Sequence, residues 1–414
     1  MAVGVLSRDM GCGAYLVGGI VRDIVIGRRN IDLDITIEGD GPAVARAFAA
    51  KTGASFKGPT RFGTCKVESK AFGRMDFATT RKERYRRPGA LPEVEQSGIT
   101  EDLLRRDFTI NAMAISVNPD DYGRLIDPFD GLGDISRRWL RILHGRSFAD
   151  DPTRIMRGIR FAARYGFSFE AATLRHLKRS VADGCLLSVS GKRLYSELRL
   201  VCTEDEAYRG LLLLDRYHAL GAIDSGLTFG PGRVRRLRTV SRALEAVEKL
   251  AGTGSVVRWK CWFGSLFVGL GRSRTHKLVT FFNLPGDVRE ACTWISGRLT
   301  RTATALAKLD RGDAYRIRKT LEKVPPEALI HLYAACRRHE RGLIRRYLSC
   351  WQAVKPSLSG GEIARMGLGQ SPMVGRILEQ ILKLRLQGVL RDRDQEVEYV
   401  RARIARLARA QNRG

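Results

Sequence analysis

Residues 31 to 37 read Ile-Asp-Leu-Asp-Ile-Thr-Ile, a strand pattern that sets two carboxylates among apolar neighbours. In a strand, residues two apart face the same way, so Asp32 and Asp34 share a face. There they repel one another unless a cation lies between them. Mg²⁺ suits such a place, because it takes one or two carboxylates and completes its shell with substrate phosphate oxygens. Just upstream, residues 15 to 27 read as a strand end, a glycine turn and a short helix. Gly18 and Gly19 let the backbone approach a ligand and open a helix whose free N–H groups suit phosphate. Arg22 and Asp23 ride on that helix, Gly27 stands at its C-cap, and Arg28, Arg29 and Asn30 make the following turn. An Asp-x-Asp alone also describes a polar edge strand. Beside a phosphate-cradling turn, it is the equipment of nucleotidyl transfer.

The Gly-Gly-x-Val-Arg-Asp and Asp-x-Asp elements together resemble the first motif of the class II tRNA nucleotidyltransferase and bacterial poly(A) polymerase family, of the polymerase-β-like superfamily. The resemblance implies an α+β fold: a nucleotidyltransferase head with a small mixed sheet, followed by an all-α neck, body and tail. The expected divisions are 1–145 for the head, 146–235 for a base-reading neck, and 236–414 for an RNA-holding body and tail.

After the acidic strand, 39 to 42 break the chain, 43 to 52 have good helix propensity, and Gly53 ends that helix. Residues 62–68 and 74–79 alternate like strands, and would extend a sheet beside Asp32 and Asp34. Asp76, in the second of them, is either a third active-site carboxylate or a surface residue. Residues 80–100 hold two prolines and two glycines and show no helical period, which predicts a functional or disordered loop. By resemblance, a mobile loop here helps arrange the site for the incoming nucleotide.

Residues 105 to 112, Arg-Arg-Asp-Phe-Thr-Ile-Asn-Ala, match the family's second motif closely. From the residues alone this is a helix start, with Asp107 pairing Arg105 or Arg106. By resemblance, Arg106 and Asp107 touch the ribose of the nucleotide, where a donor and an acceptor can read a 2′-hydroxyl. Asp127 and Asp130 fall in a stretch like the third motif, in turn dipeptides that suit capping or pairing.

On the helix predicted after Asp151 and Pro152, Arg154, Arg157, Arg160 and Arg164 recur at intervals of three, three and four. Four guanidiniums on one face are destabilising unless something anionic lies across them. The stretch looks like the family's fourth motif, Glu-Asp-x-x-Arg, with Asp150 in place of the glutamate. Asp151 and Arg154 fall on the positions that pair with the base. Arginine can donate to cytosine O2 and N3 or to adenine N1, and aspartate can accept from the exocyclic amine of either. Uracil and guanine would leave buried groups unpaired, which allows rejection of roughly 10⁴-fold without a template. Arg157 and Arg160 are expected to reach the triphosphate or neighbouring backbone. Residues 186–200 resemble the fifth motif, with Arg193 and Glu197 spaced for an ion pair.

Composition agrees with a polyanionic partner. The net charge is +28, and the excess is rich in arginine, which pairs phosphate bidentately. The eight cysteines are scattered singly without a Cys-x-x-Cys pair, so no zinc site and a reducing cytoplasmic setting are expected. No apolar run is long enough for a signal peptide or membrane span. From about 205 onward helical patterns alternate with short breaks. Trp259, Trp262, Phe263 and Phe267 read as core, and Arg401, Arg403, Arg406 and Arg409 lie on one closing basic helix.

The resemblance thus implies Mg²⁺-dependent addition of CMP and AMP, from CTP and ATP, to tRNA 3′ ends; it implies no protein partner. CC-only, A-only and poly(A) addition are alternatives, as is a non-catalytic RNA-binding protein on a retired head.

Overall fold

The computed structural model describes residues 1–29, 32–60, 63–71, 73–84, 89, 92–251 and 256–411. Asn30 and Ile31 before the acidic strand, Phe62, and positions 85–88, 90 and 91 of the expected 80–100 loop lie outside the described residues. The side chain of Arg409 does too. The chain divides into two compact units, Met1–Thr228 and Phe229–Gly414.

In the first unit, α1 (Ala2–Asp9), two turns long, leads into β1 (Gly13–Val17). Then come α2 (Gly19–Ile26), β2 (Leu33–Glu38), α3 (Gly41–Thr52), β3 (Ser55–Lys57), β4 (Thr64–Ser69) and β5 (Gly73–Thr79). With β8 (Ala114–Ser116) and β9 (Leu125–Ile126) these form a seven-stranded mixed sheet, ordered β3-β4-β5-β2-β1-β8-β9. Alternation sorts its faces. Ile35, Ile37, Val67, Met75 and Phe77 pack with Val44 and Phe48 of α3. The intervening residues, Asp34 and Asp76 among them, emerge on the opposite face. The helix ends follow the glycines: Gly27, Gly53 and Gly166 all take the left-handed C-cap conformation.

The 80–100 segment is not a plain loop. β6 (Arg81–Arg84) and β7 (Glu93–Gln96) pair as an antiparallel hairpin, and α4 (Ile99–Leu104) begins directly after it. Farther on, both Asp127 oxygens accept from the first N–H groups of α5 (Gly131–Arg137), at 2.7 and 2.9 Å. Asp130 pairs Arg137 at 3.0 Å.

β10 (Trp139–Leu140) and α6 (Ser147–Asp150) lead to α7 (Thr153–Tyr165). β11 (Ser168–Phe169), α8 (Ala171–Ala182), α9 (Gly191–Thr203), α10 (Ala207–Arg216) and α11 (Ala219–Ile223) complete the unit. The joint between sheet and helices is aromatic. Phe108, fully buried, meets Phe148, Phe161 and Phe169 with centroids 6.0 to 6.5 Å apart. Gly158 makes room for it: a Cβ there would stand 2.6 Å from Phe108 Cζ and 2.8 Å from Phe169. Mid-helix glycine costs about 1 kcal/mol in propensity, and close ring packing is what it permits.

The second unit is helical, from α12 (Pro231–Ala251) and α13 (Arg258–Gly264) through α14 (Arg272–Phe281), α15 (Gly286–Leu306), α16 (Ala314–Leu321), α17 (Pro326–Ala335) and α18 (Arg338–Arg346). It ends with α19 (Gly360–Ile363), α20 (Pro372–Leu386) and α21 (Arg393–Gln411). Trp262, Phe263 and Phe267 are buried as expected, and Trp259 is half-buried. A smaller cluster of Leu358, Ile363, Ile377, Ile381 and Val400 holds the last helices together. Among the described residues no helix is long and apolar enough to cross a membrane.

Candidate active site

The first unit contains a cavity of about 430 Å³ walled by the glycine turn, the acidic strand, the hairpin, the 105–111 stretch and α7. Gly18, Gly19, Arg22, Asp34, Arg106, Asp107, Asp151, Arg154, Arg157 and Arg160 all line it. Ten of the twelve residues singled out from sequence therefore meet in one place. Its lining also includes Glu83, Arg105, Asn111, Phe161 and Arg164.

The glycine turn works as its composition demands. Gly18 takes φ +74°, and a Cβ there would lie 2.7 Å from Arg106 Nη1. Any side chain would meet both backbone strain and a clash with the cation beside it. Gly19 starts α2, whose N-terminus has no side-chain cap among the described residues, so its first N–H groups remain for a ligand.

Asp34 lies across from Asp76 in the parallel β2–β5 register. Burial raises the Asp34 pKa; the Arg106 charge opposes this, while Asp76 and Asp32 raise it further. That mutual repulsion is the behaviour expected of carboxylates that share a cation. Asp32 is exposed just before β2. Asp76 is held by Arg74 at 3.0 Å, and neither Asp32 nor Asp76 lines the cavity. Among the described residues no three His, Cys, Asp or Glu side chains form a ready-made metal cluster. Asp32 and Asp34 fit an ion that completes its shell with substrate oxygens and water.

A polar chain runs along the cavity wall and back into the interior. The Tyr165 hydroxyl donates to Asp23 (3.2 Å), and Arg22 donates to Asp23 (2.9 Å) and to Asn111 Oδ1 (2.6 Å). Asn111 Nδ2 donates to Asp107 (2.8 Å), and Asp107 Oδ2 takes Nε and Nη2 of Arg157 at 2.9 and 2.7 Å. The Arg22 guanidinium also lies 4.6 Å from the Tyr165 ring centre. Burial would raise the Asp107 pKa. The Arg157 charge, with the Asn111 and Arg157 hydrogen bonds, overrides it and holds the carboxyl at about 2.

Several partnerships differ from the expected ones. Arg105 and Arg106 do not pair Asp107. They converge on buried Asp102 at 2.7 and 2.9 Å, and Arg105 also reaches Glu83 at 2.9 Å. With Phe108 N–H and Asn111 on one oxygen and Arg157 on the other, Asp107 has no acceptor to spare for a ribose. Arg160 donates to Glu204 at 2.9 Å, so part of the anion opposing the arginine face comes from the protein. Arg193 does not pair Glu197. It crosses to Asp151 at 2.9 Å and to the Gly89 carbonyl at 3.0 Å. Among the described residues, one buried oxygen of Glu197 has no hydrogen-bond partner, and burial raises its pKa against the nearby Arg157 and Arg160.

The base-reading pair is held but not used up. Asp151 Oδ1 accepts from the Thr153 N–H and hydroxyl and from Arg193, and among the described residues Oδ2 has no protein donor. Arg154 donates to Ser147 Oγ (2.7 Å) and the Arg105 carbonyl (2.6 Å), two of its five N–H groups. Among the described residues, Arg106 Nε and Arg160 Nε are buried donors without acceptors. Seven arginines against four carboxylates line the cavity. Such a place attracts a polyanion and offers it directed donors.

Comparison with known proteins agrees with this geometry. Residues 14–141 match a family described as the poly(A) polymerase head domain. An A-adding tRNA nucleotidyltransferase of Halalkalibacterium halodurans is 30% identical, over 96% of this chain and 90% of its own length. This chain belongs to the tRNA nucleotidyltransferase family. An A-adding tRNA nucleotidyltransferase of Geobacter sulfurreducens is 32% identical over 95% of this chain, which spans only 46% of that protein. The chain thus covers about half the length of that curated relative. The solved Thermotoga maritima CCA-adding enzyme complexed with tRNA_CCA superposes with a TM-score of 0.78 at 28% identity, covering 97% of this chain and 94% of that one. Nucleotidyltransferases of this family are metal-dependent in general.

Signals for the additional cavity residues were uneven. Asn111 lies inside the second motif and Arg164 on the arginine face, so both were legible. Glu83 sits in a charged stretch without periodicity, and nothing local marks it.

Proposed function

We propose that this chain adds CMP and AMP, from CTP and ATP, to the 3′ end of tRNA by Mg²⁺-dependent nucleotidyl transfer in the cytoplasm. The observation that carries this reading is that one cavity joins the Gly18–Gly19 turn, Asp34 and the Asp151–Arg154 pair. In this reading 1–145 is the head, 146–235 the neck, and 236–414 the RNA-holding body and tail.

The α2 N-terminus and the guanidiniums of Arg106 and Arg160 receive the triphosphate. Asp32 and Asp34 would hold Mg²⁺, with Asp76 a further carboxylate within reach of that role. When bound, the ion would supply Lewis-acid stabilisation of charge on the phosphoryl oxygens. The RNA 3′-hydroxyl then displaces pyrophosphate in line. Asp151 Oδ2 accepts from the exocyclic amine of C or A, and Arg154 donates to the neighbouring ring acceptor. Asp107 acts by fixing Arg157, and Arg193 by orienting Asp151.

AMP addition alone is the second reading, supported by the A-adding names of both curated relatives above. The test supplies tRNAs ending before CCA, after CC and after CCA, each with labelled CTP or ATP alone, to the wild type and Asp32→Ala. Full activity extends the first tRNA with CTP and the second with ATP. The restricted form uses only the second. Incorporation into none of them, or near-normal turnover by Asp32→Ala, would refute the reading.

A further inference from the structure

The carboxylates of the acidic strand share their face of the sheet with a cation of the chain's own. Strand pairing lays out a small charged grid. In the parallel β2–β5 register Asp34 stands beside Asp76. In the antiparallel β4–β5 register Lys66 stands beside Asp76, on the side away from Asp34, and Glu68 stands beside Arg74. Residues two apart on a strand share a face, so Arg74 points the same way as Asp76 and Asp34. Neighbouring strands lie about 5 Å apart, within reach of attraction between unlike charges.

Arg74 grips that grid from its centre. Its Nη2 donates to Asp76 Oδ2 at 3.0 Å and its Nε to Asp76 Oδ1 at 3.4 Å, so both carboxylate oxygens are taken by one fork. The hydrogen bond to Asp76 raises the Arg74 pKa, and the charges of Asp76, Asp32 and Glu68 add to it. The same guanidinium lowers the Asp34 pKa, against the burial that raises it. One arginine therefore lies in the field of Asp32, Asp34 and Asp76 together. It meets a divalent ion on Asp32 and Asp34 as a like charge. A unit charge about 6 Å from a divalent one weakens binding roughly tenfold even at the dielectric of water, and the exposure of Arg74 allows a smaller effect. Its tie to Asp76 keeps it from swinging away.

We propose that Arg74, anchored on Asp76, is a resident counter-cation that competes with the divalent ion for the Asp32–Asp34 pair and holds down its affinity for the free ion. The pair then binds firmly only an ion that arrives with a triphosphate, whose oxygens complete the shell. This rests on the metal-dependent reading above. The test titrates Mn²⁺ alone into the full chain without nucleotide, and counts the free ion by electron paramagnetic resonance. Arg74→Ala should bind Mn²⁺ about three- to tenfold more tightly than wild type. Asp76→Asn removes one anion and releases the cation it anchors, so it should stay within about twofold of wild type. Adding Arg74→Ala to Asp76→Asn should gain under about twofold, because the two residues act as a pair. Lys51, exposed in the last turn of α3 behind the sheet, supplies the equal-charge control, and Lys51→Ala should change affinity by under about 1.5-fold. Wild-type affinity in Arg74→Ala, an equally large gain in the Asp76→Asn background, or an equal gain from Lys51→Ala overturns the proposal. Mn²⁺ binding that Asp34→Ala leaves intact, in wild type and Arg74→Ala alike, instead removes the metal reading beneath it.

Discussion

The clamp between Asp107 and Arg157 ties the 105–111 stretch to α7, and its strength can be worked from the structure. Two charge-assisted hydrogen bonds of 2.9 and 2.7 Å join a nearly buried carboxylate to a guanidinium that is 36% exposed. A unit-charge pair about 4 Å apart at an effective dielectric near 20 is worth roughly 4 kcal/mol. Displacement of the carboxyl from 3.8 to about 2 corresponds to roughly 2 kcal/mol. Solvent at the exposed guanidinium screens the pair, so the lower figure governs. Asp107→Asn and Arg157→Gln should each destabilise the first unit by about 2 to 3 kcal/mol. The double variant should fall short of their sum by about 2 kcal/mol. Native-state hydrogen exchange with mass spectrometry, on peptides covering α7 and residues 105–116, reads this unit apart from the second. The pH dependence has a definite sign. Because the carboxyl is depressed on folding, its contribution is full above about 4 and lost as pH falls through about 2. The gap between wild type and Asp107→Asn in urea unfolding should therefore shrink by about half between pH 7 and pH 3. A coupling under about 0.5 kcal/mol, or a gap that widens in acid, would refute the reasoning.

Two further outcomes follow from buried titratable groups. Glu197 is raised by burial, and among the described residues one of its oxygens is unpartnered, so its ionised form opposes folding once pH exceeds its ordinary range. Glu197→Gln should raise hydrogen-exchange stability of α9 by up to about 1 kcal/mol at pH 7, and a loss above about 2 kcal/mol would show a needed charge. In the second unit His331 is fully buried, its Nε2 lies 2.9 Å from the Cys261 carbonyl, and desolvation lowers its pKa to about 4. A histidine held neutral loses its stabilising contribution as pH falls from about 6.5 towards 4, a change of roughly 3 kcal/mol. Exchange in α17 should follow that slope, and His331→Gln should flatten it.

Features set by neighbours along the chain were legible in the sequence. The alternation around Asp32 and Asp34, the left-handed glycines at helix ends and the three-, three- and four-residue arginine spacing depend only on strand and helix geometry. They present most of the site residues on the right faces, and the packing of their elements brings ten of the twelve to one cavity. The hairpin at 81–84 and 93–96 was not legible, because neither strand alternates apolar and polar residues. It is held instead by cross-strand charge, Lys82 against Glu95 at 3.0 Å, and by Glu83 reaching Arg105.

The sequence by itself determined which side chains would be presented, and on which face of which element. Tertiary structure alone decided what each would meet. Arg105 and Arg106 found Asp102 rather than Asp107, Arg157 crossed fifty residues to Asp107, and Arg193 passed over Glu197 for Asp151. The physical reason is that periodicity orients a side chain about its own axis but carries no information about the element that packs opposite. A buried charge takes whichever partner that packing delivers, because leaving it alone costs more than any local preference returns.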